Sequence, residues 1–372
     1  MAIIALLASI TYCFFAVIAI ITSLAPDFSV FYTSAQNIIN KRNIYTDTSL
    51  YTGLGYPPVS VIWFIPFALL PYQTAQAFWI IGIVVCMLLS CWISLKLVQP
   101  KHSKHSKHIY ENFCFVVLLV CASFPFQFTL GMGQVNTYVF LLFLISLVFI
   151  TKRKPTIAGI LLGLVCMLKP QFLFFLPIVV LCRHLKTVYI SISTMMIFVC
   201  FHGIYCGWDQ YLMYITTYAP RLLDFSSAEP YYNQGIAAFF SRTLPLFYVK
   251  PCWILCLGFF VAVLWYKILT SKLSLVQAVA LSFPVFLLIE PLSWQHHYVF
   301  LLLSFVYGWF HIKTFVGKTL LFISYILVSW NIENPQVFFA SGMGSILLTH
   351  VGLGTLLLEG ILLASHLRKS VI

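Results

Sequence analysis

Apolar runs of 18 or more residues recur along this chain, from Ala2–Leu24 near its start to residues 343–365 near its end. A run of that length spans the hydrocarbon core of a bilayer as a helix, which satisfies every backbone polar group internally. The remaining residues could not clothe such runs in water: of 372 residues, 61% are hydrophobic and only 8% charged. The expected fold is all-α, a polytopic integral membrane protein of about twelve transmembrane helices. Residues 1–372 are expected to form a single membrane-embedded domain. The first run lacks a basic flank and is followed at once by Pro26, so it reads as a retained helix and not as a cleaved leader.

The formal net charge of +12 would suit a nucleic-acid partner if it formed one patch, but it does not. Fifteen of the 21 Lys and Arg residues fall in short clusters between apolar runs: Lys96 to Lys107, Lys152 to Lys154, Arg183 and Lys186, Lys267 and Lys272, Lys313 and Lys318, Arg368 and Lys369. Short cytoplasmic loops collect Lys and Arg, so these clusters read as the inner side and exclude a nucleic-acid binder. The repeat KHSKHSKH (101–108) fits a solvated loop near anionic headgroups better than a metal site. Eleven cysteines are scattered mostly through apolar runs, where a buried thiol serves as a small hydrophobe. No disulfide framework or zinc-ligand spacing is visible.

With the basic clusters inside, spans are expected at about 2–24, 72–98, 112–130, 135–151, 155–169, 171–183, 187–205, 251–269, 273–290, 297–311, 317–331 and 343–365. The stretch YPPVSVIWFIPFALLPY carries Pro57, Pro58, Pro66 and Pro71, and a crossing there would put the KHS repeat outside. It is therefore expected to be re-entrant or interfacial, within a first outer loop and segment covering 25–71. A second long outer loop covers 206–250. Seven of the nine acids then fall outside: Asp27, Asp47, Asp209, Asp224, Glu229, Glu290 and Glu333. Function is expected on that outer face, where long loops meet a rigid scaffold.

Several residues there invite chemistry. Asp27 follows Pro26 just past the first run, where a carboxylate either caps the next helix or serves as a general base whose pKa is raised by partial desolvation. Lys169 sits in GILLGLVCMLKPQFLFFLP, where a cation either snorkels to the interface or holds an anion. His296 and His297 follow Glu290-Pro-Leu-Ser-Trp-Gln. Adjacent residues of a helix point about 100° apart, so the two are not expected to chelate one metal, and no metal site is assigned. Gln134 and Asn136 in GMGQVN offer amides to a hydroxyl or phosphate, although a plain helix–helix turn looks the same. Tyr205, Tyr211, Tyr214, Tyr218, Tyr231 and Tyr232 suit either sugar stacking or an interfacial aromatic belt. Phosphate-cradling P-loops, dinucleotide fingerprints and nucleophile elbows are all missing from the sequence.

The ordered series PDFSVFYTSAQNIINKRNIY, YPPVSVIWFIPFALLP, GQVN, AGILLGLVCMLKPQFLFFLP and PLSWQHHYVFLL resembles glycosyltransferase family 87 over roughly residues 20–310. These are multi-spanning GT-C enzymes that include polyprenyl-phosphate-mannose-dependent α-mannosyltransferases. The resemblance implies a GT-C-like fold and an inverting hexosyl transfer, most often of mannose. It also implies no obligatory cofactor and an active site on the extracytoplasmic side of a bacterial inner membrane. It makes Asp27 the catalytic base and places Lys169, His296, His297, Tyr56, Gln134, Asn136 and Tyr32 around the substrates. The implied partners are a polyprenyl-phosphate-linked sugar donor, a glycolipid, polysaccharide or other hydroxyl acceptor, and the lipid bilayer. Where members often carry a Gly before the Tyr closing the first motif, this chain has Lys41-Arg42-Asn43. Two other classes fit the bare composition. A transporter or flippase would show broken helices and intramembrane charge, as here, but usually also two similar halves, and no internal repeat is visible. A structural assembly subunit would not depend on Asp27, Lys169 or His297.

Overall fold

A computed structural model describes residues 2–45, 55–99, 108–223, 231–338 and 342–367. Asp47, Asp224, Glu229, Lys101, Lys104, Lys107, Arg368 and Lys369, and with them most of the KHS repeat, lie outside the described residues. The described residues are overwhelmingly helical, with no named strand among them and one isolated bridge between Asn233 and Trp294.

Among the described residues, three helices are long and apolar enough to cross a membrane by themselves: Tyr72–Val98, Leu185–Cys206 and Leu246–Thr270. They coincide with expected spans. Two further candidates are bent pairs, Leu6–Ile21 with Pro26–Ile39 at 51° and Ile109–Ala122 with Phe124–Met132 at 66°. Other expected spans contain shorter apolar helices, among them Asn136–Thr151, Pro155–Leu168, Pro170–Leu181 and Leu275–Ile289. Proline separates two of them: it has no N–H to donate and pushes the preceding residue out of the helical region, as at Lys169 before Pro170 (φ −141°, ψ 91°). The YPP stretch forms a 3-10 turn, Pro58–Phe64, running into the four-residue helix Ile65–Ala68.

The chain divides into two compact units, the first comprising Met1–Ile93 and Phe128–Leu222. In it, the helix Ala2–Ile21 ends before Pro26, which opens the helix Pro26–Ile39 at a position where its missing donor costs nothing. The break leaves orphan groups that a membrane interior cannot hydrate, and Gln76 serves them from the helix Tyr72–Val98. Its Nε2 donates to the carbonyls of Ser23 (2.7 Å) and Ile20 (3.0 Å), and its Oε1 accepts from the Ala25 amide (3.2 Å).

The helix Pro155–Leu168 crosses Leu185–Cys206 closely because it presents Gly159 and Gly163. A Cβ at Gly159 would lie 2.6 Å from the Ile190 Cβ, and one at Gly163 would lie 2.7 Å from the Ser191 carbonyl. Ser191 seals the crossing by donating to the Gly159 carbonyl at 2.9 Å. Small residues four apart permit such backbone approach between membrane helices.

Every non-glycine residue with positive φ among those described is a cation near a helix C-terminus: Lys41 (53°), Arg153 (56°), Arg183 (65°) and Lys272 (47°). At Lys41, Arg153 and Arg183 the following amide reaches back five residues, as in Arg42 N to Asn37 O at 2.8 Å. The left-handed turn costs roughly 1 kcal/mol per site, which a positive charge at the negative end of the helix dipole partly offsets.

The second unit comprises Ser94–Gln127 and Leu223–Ile372. Its centre is the helix Leu275–Ile289, almost wholly buried and started by a capping box between Ser274 and Gln277. Around it pack the helices Leu246–Thr270, Leu302–His311 and His350–Leu367, the last also joined to Phe315–Ser329 by the Ser324 hydroxyl on the Gly354 carbonyl (2.7 Å).

Candidate active site

Asp27 and Gln134 meet in the first unit because a glycine allows two chain segments to touch. Gly133 ends the helix Phe124–Met132 with φ +69°, a backbone state that glycine reaches without penalty. A Cβ there would stand 2.9 Å from the Cβ atoms of both Ala25 and Phe28. The Gly133 carbonyl accepts from the Trp79 indole at 2.8 Å, which fixes the turn. The next residue, Gln134, then donates through Nε2 to Oδ2 of Asp27. Gln134 Oε1 is buried beside this contact and has no hydrogen-bond partner among the described residues.

Asp27 is not the cap of its helix. The N-cap position belongs to Ala25, Pro26 takes the first helical position, and no side-chain cap bond forms. Asp27 therefore lies in the first turn, where the helix dipole favours its negative charge while the carboxylate bonds a side chain from a remote segment. It sits beyond the end of Ala2–Ile21, half-buried. Burial pushes its carboxyl up from 3.8 to about 6, against opposing pulls from the Gln134 hydrogen bond and the Lys169 charge.

Lys169 is fully buried within the protein, so it does not snorkel. Its extended backbone at the end of Pro155–Leu168 turns the side chain toward Asn136, whose Oδ1 accepts from Nζ at 3.0 Å. The Tyr56 ring lies beneath the same ammonium, 5.9 Å from Nζ to centroid. Tyr56 is in turn held by an edge contact with Phe31 (ring centroids 5.0 Å apart) and by the Tyr45 hydroxyl on its carbonyl at 2.9 Å. The structure thus brings together Asp27, Gln134, Asn136, Lys169 and Tyr56, drawn from four of the sequence motifs. Tyr32 stands differently: its hydroxyl donates to the Leu70 carbonyl at 2.8 Å and its ring joins Phe28 and Tyr72 in an aromatic wall. Tyr218 stacks on Tyr45 (4.3 Å), so one member of the tyrosine strip packs against protein, whatever it offers to a ligand.

His296 and His297 belong to the second unit, in the 3-10 turn Gln295–Leu301 that follows the helix end at Glu290-Pro291. His297 Nδ1 lies 3.1 Å from Glu290 Oε2, and both side chains are buried. That contact orients the imidazole and favours the tautomer protonated on Nδ1. His296 stacks near Trp294 and meets His297 edge-on at 4.6 Å.

Asn233 locks this turn, and the sequence motifs contained no hint of it. Its Oδ1 accepts from the Ser293 amide (2.9 Å) and its Nδ2 donates to the Pro291 carbonyl (3.0 Å). The Gln234 amide donates to Ser293 O and the Gln295 amide to Tyr232 O, each at 2.8 Å. Arg242 bridges the Asn233 carbonyl (3.1 Å) and the Thr349 hydroxyl (3.0 Å). The only local clue is the polar pair beside Gly235: Asn233 and Gln234 prove fully buried and bonded, as buried amides must be.

The chemistry available in the first unit is a carboxylate of raised basicity, an amide with an unused acceptor, and a buried ammonium. The second unit supplies an acid-oriented imidazole. Comparison with curated proteins finds no match to the chain. The model of glycosyltransferase family 87 matches residues 54–291, about two thirds of the sequence. This chain, with its membrane-length apolar helices, belongs to glycosyltransferase family 87.

Proposed function

We propose that this membrane glycosyltransferase moves a hexose, mannose in the first instance, from a polyprenyl-phosphate donor to an acceptor hydroxyl on the extracytoplasmic face of a bacterial inner membrane. The observation that carries the reading is the pairing of Asp27 with Gln134 in the same unit as the buried Lys169. A general base for a hydroxyl needs a carboxylate more basic than an ordinary Asp yet ionised near neutrality, and burial gives Asp27 that character. Gln134 Oε1, which has no hydrogen-bond partner among the described residues, would accept from a second hydroxyl of the incoming sugar.

The step is a single inverting displacement. The acceptor oxygen attacks the anomeric carbon and its proton passes to Asp27. The bond from that carbon to the phosphate oxygen breaks, and the lipid phosphate leaves with the electron pair. Lys169, held by Asn136 over Tyr56, neutralises the charge that grows on the phosphate. Tyr32 and its aromatic neighbours form a wall for lipid or sugar. The chain acts as one GT-C-like membrane-embedded domain of twelve crossings, with the YPP segment along the lipid's entry path, and no cofactor is required.

Transfer of radiolabelled mannose from a polyprenyl-phosphate donor in proteoliposomes tests the reading. Asp27→Asn should abolish transfer while the purified variant elutes and unfolds as a folded protein. Full activity in that variant would overturn the assignment, and substrate flux without covalent product would make the chain a flippase.

A further inference from the structure

Outside both motif clusters, the loop after the helix Phe315–Ser329 lines a wide-open surface depression of about 460 Å³. Its lining is drawn from one consecutive stretch, Trp330-Asn331-Ile332-Glu333-Asn334, with Val337 and Phe338. Trp330 is 58% exposed at the cavity although it is one of the largest apolar side chains of the unit. Glu333 and Asn334 are exposed too.

The loop is held from behind by buried polar groups. The Tyr231 hydroxyl accepts from the Ile332 amide at 2.8 Å and donates to Asn331 Oδ1 at 3.2 Å. His350 meets the Trp330 carbonyl through Nε2 at 3.1 Å, and its ring lies edge-on to the indole at 5.7 Å. Pro335 opens the turn that closes the lining. A surface loop anchored at three consecutive residues is preorganised, so a ligand meets it at a reduced entropic cost.

We propose that this cavity is a binding site for a neutral oligosaccharide, a second sugar subsite in addition to the reacting one. The lining combines one exposed indole face with two carboxamides and one carboxylate. An indole covers the apolar C–H face of a sugar ring, while amide and carboxylate groups bond vicinal hydroxyls in pairs. None of the lining residues is a cation and one is a carboxylate, so a phosphate headgroup or a nucleotide is disfavoured. The choice of a saccharide over another neutral polar ligand rests on the glycosyl-transfer reading; the geometry of the cavity does not.

The test uses the full chain in lipid nanodiscs and saturation-transfer difference NMR, with mannotriose and maltotriose as probes and inorganic phosphate as competitor. Saturation of sugar ring protons is expected with at least one probe. Trp330→Ala should reduce it at least five-fold, Trp330→Tyr should retain it, and phosphate should leave it unchanged. Absence of transfer to both probes overturns the proposal and leaves Trp330 as an interfacial belt residue. A signal unchanged in Trp330→Ala, or displaced by phosphate, overturns it as well. Asp27→Asn separates this proposal from the catalytic one: it should retain oligosaccharide binding while losing sugar transfer. Binding without any transfer activity in the native chain would defeat the catalytic reading alone.

Discussion

Gln134 donates its amide to Oδ2 of Asp27 across 107 residues of chain, so the candidate base is held by a side chain and not by its own helix. Two consequences separate here. The carboxylate stays basic enough to take a proton, and it pays a desolvation cost whenever it is ionised.

Asp27→Asn is accordingly expected to lower sugar transfer by about 10²- to 10⁴-fold, the usual contribution of a general base. The same variant should be more stable than the native protein at neutral pH. The sign follows from the direction of the shift. A carboxyl raised from 3.8 to about 6 in the folded state binds more protons folded than unfolded, so its contribution to stability declines as pH rises through that window. An amide at position 27 escapes the decline. Thermal unfolding at pH 4 and pH 7.5 checks it: the gain should appear at the higher pH and shrink at the lower.

Sugar transfer should fall on the acid side with a midpoint near the Asp27 value of about 6, since only the ionised carboxylate accepts a proton. Lys169 pulls that value down. Lys169→Met should therefore move the acid limb of the kcat/KM profile to higher pH, besides weakening transfer. A limb that stays in place in this variant would show that Lys169 does not act on Asp27.

Gly133→Ala tests how the pair is assembled. The new methyl would stand 2.9 Å from both Ala25 and Phe28 at a backbone angle of φ +69°. Left-handed strain and overpacking together should cost about 2 kcal/mol or more. Because Gln134 is the next residue, transfer should fall beyond what the loss of folded protein explains, measured per folded molecule.

Glu290→Leu leaves His297 buried without its acid and should destabilise the protein by about 3 kcal/mol, whereas Glu290→Gln keeps an acceptor for Nδ1 and should cost less. Melting temperatures in one detergent suffice to rank the two.

Lys41→Gly addresses the departure from the family's first motif. Lys41 already occupies the left-handed position that a glycine would take (φ 53°), so the turn itself is preserved. The change should stabilise by about 0.5–1 kcal/mol. If transfer also holds within about two-fold, a difference of under 0.5 kcal/mol, the lysine side chain has no part in acceptor recognition.

The clearest residue in the sequence was Lys169, because a cation in a long apolar stretch is expensive enough to demand a partner. Its partner, Asn136, lay in a separate motif and was visible only as an amide of unspecified use. Asp27 was visible as an acid at a helix start, but the cap expected from that position is absent. Capping preference is a local statement, and Pro26 had already set where the helix begins. Gly159 and Gly163 carry no signal in the sequence although they set the close crossing of Pro155–Leu168 with Leu185–Cys206, since a small residue announces itself only against its neighbour. Asn233 is silent for a different reason: an amide in a polar loop looks like a solvated residue until its partners on the 291–293 backbone are known.

What the sequence determined by itself is the class of solvent and the inventory of reactive groups. Apolar length and scarce charge require helices in a bilayer, and prolines such as Pro26 and Pro170 mark some of the places where those helices break. Tertiary structure alone decided the pairings: Asp27 with Gln134, Lys169 with Asn136, His297 with Glu290 and Asn233 with the 291–293 turn. Each pairing depends on the approach of backbones brought together by packing, through a glycine turn, a helix ended by proline or an antiparallel bridge. Local spacing encodes the groups, and only the packed chain brings their atoms within hydrogen-bonding distance.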